Sequence, residues 1–215
     1  GMIGASDTHT ALATTREENY FGKYQHTEPS ADRFDGAVIP SDDPKLKILT
    51  SQEGAAGLHA VWARENTRSA IFDAMQRKEA YATTGTRIRV RLFAGWDFEA
   101  EEVDRPDFAV EGYRRGVPMG GDLHRPEGAG KKAAPRFMIR ALRDPDGANL
   151  DRVQVVKGWL DAEGKTHERI YDVAVSDGRK IGEDGRCKEP VGSTVDEKKA
   201  TYTNSIGSVL LSAHW

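Results

Sequence analysis

The chain has 215 residues, of which 38% are hydrophobic and 30% are charged, and its formal net charge is −3. This charge excludes the strongly basic surface on which nucleic-acid binding depends, and no apolar stretch is long enough to cross a membrane. The single cysteine excludes an internal disulfide and does not decide the cellular compartment. The 22 glycines and 9 prolines favour many turns over long helices.

A short apolar segment at the start of the sequence leads into Asp7-Thr8-His9. Residues at positions i and i+2 of a strand point to the same face, so the side chains of Asp7 and His9 can reach one metal centre. A carboxylate and an imidazole are ligands typical of Zn, Mn or Fe. The alternative interpretation is a loop in which Asp7 caps a turn.

The region that follows has one clear helix. Residues 10–60 show no sustained periodicity, which predicts a long loop with one short helix around 50–60. A helix is predicted over 66–78, where Asn66 or Thr67 can cap the N-terminus. Four side chains at helical spacing form its predicted packing face: Ile71, Ala74, Met75 and Lys78.

Residues 81–87 combine hydroxyl groups, a glycine and an arginine. In this segment Thr84 and Arg87 are candidates for contacting an anionic substrate, because hydroxyl and guanidinium groups donate hydrogen bonds to anions. The same composition is also typical of a tight turn that joins a helix to a strand.

Strand patterns dominate the rest of the sequence. An alternating segment predicts a strand with a solvated face, formed by Arg87, Arg89 and Arg91, and a buried face, formed by Ile88, Val90 and Leu92. After residue 100 no helical periodicity is found, and strands are predicted at 137–142, 152–160, 168–176 and 206–215. Residues 118–122 and 144–151 are predicted to be polar turns. The spacing favours an antiparallel sheet or sandwich.

The remaining histidines carry no ligand pattern. No ligand spacing relates His26, His59 and His124, so none of them is assigned a role, and His167 is predicted to lie in a solvated turn. Both ends of the sequence interrupt a strand pattern, so we expect the chain to be a piece of a longer protein.

Several longer segments carry a family resemblance. They are Gly-Ala-Ser-Asp-Thr-His-Thr at 4–10, Glu-Asn-Thr-Arg-Ser-Ala-Ile-Phe-Asp-Ala at 65–74, Tyr-Ala-Thr-Thr-Gly-Thr-Arg at 81–87, Val-Pro-Met-Gly-Gly-Asp-Leu at 117–123, and residues 144–159. Together they resemble the C-terminal part of the bacterial domain of unknown function 3604 family. That family in turn resembles the polymerase-and-histidinol-phosphatase (PHP) superfamily of metal-dependent phosphoesterases.

The superfamily resemblance implies a distorted seven-stranded (β/α) barrel with a two- or three-metal centre. The last barrel strand of those relatives supplies an Asp-x-His pair, which Asp7 and His9 match. Their other ligand motifs, which include an N-terminal His-x-His, are absent from this sequence. The resemblance therefore implies an α+β fold, with a C-terminal remnant of the barrel over residues 1–97 and an antiparallel, sandwich-like β-rich region over residues 98–215.

These features predict a fragment of a metal-dependent hydrolase that acts on a small-molecule phosphate ester. The fragment is expected to be inactive on its own, because the missing upstream barrel segment of the same protein would hold the remaining ligands. The expected cofactor of the intact protein is a divalent metal, Zn, Mn or Fe, and the expected location is the bacterial cytoplasm or periplasm. The alternative is a non-catalytic ligand-binding or structural β-rich module.

Overall fold

The computed structural model of the chain describes residues 4, 5, 9, 36–49, 57–130 and 133–215. The chain divides into two compact units, Gly1–Arg87 and Ile88–Trp215. This division of the chain falls between Arg87 and Ile88, and the domain boundary predicted after residue 97 remains a prediction.

The first unit contains two short antiparallel ribbons and one helix. Strand β1 (Ala37–Ile39) pairs with β2 (Ile48–Leu49), and β3 (His59–Val61) pairs with β4 (Ala80–Ala82). Helix α1 (Arg68–Gln76) connects β3 to β4. Part of the predicted 10–60 loop is therefore strand. The short helix predicted around 50–60 is wrong at residues 59 and 60, because these residues belong to β3 and pair with β4.

Helix α1 confirms the helix predicted over 66–78, in a shorter form. Its cap is Thr67, whose Oγ1 accepts a hydrogen bond from the backbone N–H of Ala70 at 3.3 Å. Beyond the helix, Lys78 has a φ of 61° and turns the chain into β4. Of the predicted packing face Ala74 is fully buried, whereas Met75 is 45% exposed.

The second unit contains six strands: β5 (Arg89–Gly95), β6 (Val117–Pro118), β7 (Arg136–Leu142), β8 (Arg152–Leu160), β9 (Thr166–Val175) and β10 (Leu210–His214). Four of them form an antiparallel sheet in the order β10, β7, β5, β6, and β8 pairs with β9 as a hairpin. The four strands predicted after residue 100 are confirmed, with small shifts at their ends.

Two helical segments lie between β5 and β6: a 3₁₀ helix (Ala100–Asp104) and α2 (Phe108–Arg115). No helical periodicity in the sequence marks these two short segments, and strand still exceeds helix after residue 100, as predicted for a mainly β region with few helices. Helix α2 is short and contains Gly112, which disfavours a helix by about 1 kcal/mol relative to alanine. It forms because of its packing, since Gly112 lies directly against the ring of Phe93.

These helical segments cover the part of the sheet face that carries Arg91 and Phe93 of β5. The core beneath them consists of Phe93, Phe98, Val103, Phe108 and Met138. The guanidinium of Arg91 lies 5.3 Å from the ring centroid of Phe93 and donates a hydrogen bond to the hydroxyl of Tyr113 at 2.7 Å. The prediction of a solvated arginine face is therefore wrong for Arg91, because α2 packs over it, whereas Arg89 is exposed.

The opposite face of the sheet packs against the β8–β9 hairpin. This second core consists of Ala141, Leu150 and Leu211, with Ile88, Val90, Val153 and Ala174 at its edge. The ring of Trp215, which follows β10, lies 5.1 Å from that of Tyr171 on β9. The sheet is thus the middle layer of the second unit, with helices on one face and a hairpin on the other.

The two polar turns predicted from the sequence are confirmed. The backbone N–H of Gly147 donates to the carbonyl of Asp144 at 3.0 Å, and the guanidinium of Arg143 donates to the carbonyl of Gly147 at 2.7 Å. In the other turn Gly120 has a φ of 86°, and the N–H of Gly121 donates to the carbonyl of Pro118 at 3.0 Å. Such a φ is one that glycine adopts without strain.

The fold of the described residues is mixed and strand-rich. Its strands form small antiparallel sheets, and within the described ranges none of these sheets closes into a barrel. The antiparallel, strand-rich part of the prediction is confirmed, and the barrel remnant remains a proposal.

Candidate functional site

The two predicted metal ligands lie at the start of the first unit. Asp7 falls outside the described residues, and His9 is described and exposed. Gly4, at the head of the same segment, lies against β4, because a Cβ atom placed on Gly4 would be 3.2 Å from the Cβ of Ala82. The segment that carries Asp7 and His9 therefore starts beside the C-terminal end of β4.

The predicted substrate-contacting segment follows β4 directly. The N–H of Thr83 donates to the carbonyl of Leu58 at 2.8 Å, and the N–H of Leu58 donates to Oγ1 of Thr83 at 3.1 Å. These bonds extend the β3–β4 ribbon by one residue pair. The chain then turns at Gly85, whose φ is 78°. Beyond this anchor Thr84 and Arg87 are both exposed.

The backbone of this turn lies very close to the backbone at Gly57, just before β3. A Cβ atom on Gly57 would lie 2.3 Å from the carbonyl oxygen of Thr83, so no larger residue fits there without a shift. The backbone of Thr83 and its hydroxyl group therefore anchor the start of the turn to the segment that precedes β3. This geometry agrees with the turn interpretation and leaves the side chains of Thr84 and Arg87 on the surface.

His59 stands out among the residues of the first unit. It lies on β3 directly opposite Ala82 of β4, and both of its ring nitrogens are buried without a hydrogen-bond partner in the described structure. Directly opposite residues of an antiparallel pair project to the same face. The side chain of His59 therefore shares the face of Ala82 against which Gly4 lies. The sequence contains no spacing signal that singles out this histidine.

An ion pair between a buried carboxylate and a partly exposed arginine holds the end of α1. The side chain of Glu79 is 2% exposed, and its carboxylate accepts from Nε of Arg77 at 2.9 Å. The same guanidinium donates to the carbonyl of Trp62 at 2.7 Å, next to β3. These contacts join α1 to the β3–β4 ribbon and are best explained as structural.

The second unit contains a buried charged cluster around Asp172. Its carboxylate accepts hydrogen bonds from the N–H of Cys187 at 2.7 Å and from Gln154 at 2.6 Å, and lies 3.2 Å from the guanidinium of Arg152. Burial raises the pKa of the Asp172 carboxyl, but these hydrogen bonds and the charges of Arg186 and Arg152 outweigh it and hold the pKa below its ordinary value.

Arg179 forms a neighbouring anchor in the same unit. Its side chain is 3% exposed, and its guanidinium donates to the carbonyls of Ser176, Glu189 and Asp151 at 3.1, 3.0 and 2.7 Å. Three of its five hydrogen bonds thus go to main-chain oxygens, and the other two go to the carboxylate of Asp151 and the hydroxyl of Ser176. This arrangement fastens the segment after β9 and offers no group aimed at a substrate.

The other histidines make structural or surface contacts. His167 lies on β9 rather than in a solvated turn, because it pairs with Trp159 of β8 and stacks on that ring at 5.3 Å. Its Nε2 lies 2.6 Å from the carboxylate of Asp161. His124 is exposed, His214 bonds to the carbonyl of Phe98 at 3.0 Å, and His26 lies outside the described residues.

The residues of the first unit fit a divalent metal by donor type. No group of three or more His, Cys, Asp or Glu side chains with metal-binding geometry occurs among the described residues, which do not include Asp7. The buried imidazole of His59 nevertheless presents nitrogens with no partner, and neutral imidazole is a ligand of Zn, Mn and Fe.

The described fold defines a mixed, strand-rich protein built of small antiparallel sheets and short helices. A family model, Protein of unknown function (DUF3604), matches residues 1–215. The chain belongs to this family, which confirms the family resemblance. No curated protein and no solved structure matches the chain. Across the described parts of the chain, no helix combines the length and apolar character needed to span a membrane.

Proposed function

We propose that this chain is the C-terminal part of a metal-dependent hydrolase that acts on a phosphate ester. The proposal draws on the resemblance of its segments to the polymerase-and-histidinol-phosphatase superfamily. The observation that carries it is the close approach of Gly4 to Ala82, where an added Cβ on Gly4 would lie 3.2 Å from the Cβ of Ala82. This approach places Gly4, three residues before Asp7 in the sequence, beside the strand that leads to Thr84 and Arg87.

Each proposed residue has a distinct task. Asp7 would hold a divalent metal, Zn, Mn or Fe, through carboxylate oxygen, and His9 through an imidazole nitrogen whose other N–H needs an acceptor. A metal held there supplies a Lewis acid that polarises the phosphoryl group and lowers the pKa of a bound water. The exposed Thr84 and Arg87 would donate hydrogen bonds to the oxygens of the anionic substrate.

An Asp-x-His pair leaves several coordination positions for other ligands. We therefore propose that the remaining ligands come from an upstream barrel segment of the same protein. By itself the chain should bind metal weakly and turn over phosphate esters at no measurable rate. Metal content after dialysis and turnover of an aryl phosphate measure both properties.

The test of the proposal uses Asp7→Ala and His9→Ala in the protein as its gene encodes it. Both variants should lose bound metal and hydrolysis of a phosphate-ester panel, while the β-rich region stays folded. His124→Ala is the matched control, because this exposed histidine lies in the second unit. If both Asp7→Ala and His9→Ala keep wild-type metal content and turnover, the Asp-x-His motif is only a turn and binds no metal.

One feature favours the alternative of a ligand-binding β-rich module. Near the tip of the β8–β9 hairpin Trp159 is 41% exposed; its ring stacks on His167, and the Nζ atom of Lys157 lies 5.6 Å from the ring centroid. An aromatic ring beside a cation suits a saccharide that carries an acidic group. Binding of acidic oligosaccharides that Trp159→Ala abolishes, in a protein that holds no metal, would support this alternative.

A further inference from the structure

One face of the β8–β9 hairpin presents two cations directly opposite each other. Lys157 of β8 pairs with Arg169 of β9 in the strand register, and both residues are exposed. Side chains in that position project to the same face with their Cβ atoms about 5 Å apart, and like charges there destabilise the strand pair. The hairpin therefore keeps a doubly positive surface that does not favour its own stability.

No carboxylate of the described residues neutralises this pair of cations. Within the described ranges neither Lys157 nor Arg169 forms an ion pair. Arg169 donates to the main-chain carbonyl of Asp184 at 3.2 Å, whereas the carboxylate of Asp184 lies 3.1 Å from Nζ of Lys188. The two positive charges on the hairpin thus remain available to an anionic ligand.

Aromatic rings hold both cations in position. Nζ of Lys157 lies 5.6 Å from the ring centroid of Trp159, and the guanidinium carbon of Arg169 lies 4.8 Å from that of Tyr171. Cation–π attraction restricts side chains that have many rotamers when they are free. Tyr171 packs in turn on the ring of Trp215 at 5.1 Å, which fixes this part of the hairpin to the sheet. The two charges are therefore in place before a ligand binds, which reduces the entropy lost on binding.

The exposed indole beside the cations indicates the body of the ligand. Trp159 is 41% exposed and lies on the same strand face as Lys157, two residues away and hence about 7 Å along the strand. A sugar ring can pack on such an indole while an acidic group of the same saccharide reaches the cations. Nucleic-acid binding requires an extended basic surface, whereas this chain has a net charge of −3. These features favour an acidic saccharide over a nucleic acid.

We propose that Lys157 and Arg169 together bind the carboxylate or sulfate group of an acidic saccharide whose sugar ring packs on Trp159. The cation pair selects acidic over neutral saccharides, and the indole supplies a contact that both kinds share. The inference goes beyond the proposed hydrolase, since it gives the second unit a binding site of its own. It uses the hairpin of the ligand-binding alternative, but it holds whether or not the protein also binds a metal.

The test measures saccharide affinity by isothermal titration calorimetry in the protein as its gene encodes it. The probes are tetragalacturonate, which carries carboxylates, a heparin-derived tetrasaccharide, which also carries sulfates, and the neutral cellotetraose. Lys157→Gln and Arg169→Gln should each weaken binding of the preferred acidic probe about fivefold, the loss of one exposed ion pair, and should reduce its salt dependence. Lys157→Arg, which keeps the charge, should bind like the wild type. So should the control Lys198→Gln, which removes a lysine charge outside the hairpin.

Three results would overturn the inference. The first is a folded wild type that binds neither acidic probe, or binds cellotetraose equally well. The second is acidic-probe binding that Lys157→Gln and Arg169→Gln leave unchanged, which would make the cations a device against edge-to-edge strand pairing. The third is tighter binding of oligothymidylate than of either acidic probe. If one variant does not fold, the other carries the same test. Metal content and hydrolysis should be unchanged in every variant, so failure here leaves the proposed function standing.

Discussion

The packing of α2 on β5 can be tested at Gly112. A Cβ atom there would lie 2.4 Å from two ring atoms of Phe93 and 2.7 Å from a third. That ring is fully buried and is flanked edge-on by Phe108 at 5.4 Å and Tyr113 at 5.0 Å. Because the ring has no room to retreat, the added methyl of Gly112→Ala must push the helix away from the sheet.

Two effects of opposite sign determine the result of Gly112→Ala. Alanine favours the helical backbone over glycine by about 1 kcal/mol, whereas overpacking a filled core costs about 1–3 kcal/mol. With the methyl 2.4 Å from the Phe93 ring, the clash should lie at the upper end of that range, so the free energy of unfolding should fall by about 1–2 kcal/mol. For a unit of this size that is a fall in Tm of several degrees.

The assay is urea unfolding of the chain followed by tryptophan fluorescence and by far-ultraviolet circular dichroism. Val110→Ala is the matched control, because Val110 is 64% exposed on the same helix and tests helix propensity without the clash. It should be neutral or slightly stabilising. A Gly112→Ala variant as stable as the wild type, or more stable, would refute the close packing of α2 on Phe93.

Three further predictions concern the second unit. Asp172→Asn should lower the free energy of unfolding by about 3 kcal/mol near pH 7, because it breaks a buried ion pair. The folded-state pKa of Asp172 is lowered, so its stabilisation is complete above the unfolded-state pKa of about 4 and is lost as the pH falls through the folded value; acid titration of stability should therefore be flatter in the variant. Arg179→Lys should cost about 2 kcal/mol, since an ammonium cannot reach the carbonyls that the planar guanidinium serves; wild-type stability by urea unfolding would contradict this. Gly120→Ala should cost about 1 kcal/mol, because its φ is 86°; an unchanged Tm would count against that turn.

Local chemistry made several features predictable. The cap at Thr67 and the turns at Gly120 and Asp144 depend on side chains and backbone groups a few residues apart, so the sequence contains all of their partners. The strands β7 and β8 follow from runs of β-branched and apolar residues bounded by turn residues. Family membership was also visible from the segments themselves, and the family model matches the whole chain.

Which face of a strand is buried could not be predicted from the sequence, because burial depends on segments that are far apart along the chain. The arginine face of β5 was predicted to be solvated from the alternation of arginines and apolar residues. That alternation shows that the two faces of a strand differ, but it does not show which other segment packs on each face. Arg91 is covered by Tyr113, which belongs to a helix that Gly112 makes weak in isolation. Packing against Phe93 supplies the stabilisation that the helix lacks by itself.

The same distinction applies to the candidate site. Asp7 and His9 could be proposed from a two-residue spacing, because the period of a strand relates them directly. No sequence spacing relates His59 or Gly4 to Ala82, since strand pairing places His59 opposite Ala82 and the fold brings Gly4 close to it. The sequence alone therefore determined local structure and residue chemistry, while the tertiary structure decided which distant side chains share one face, because that depends on strand pairing across long separations.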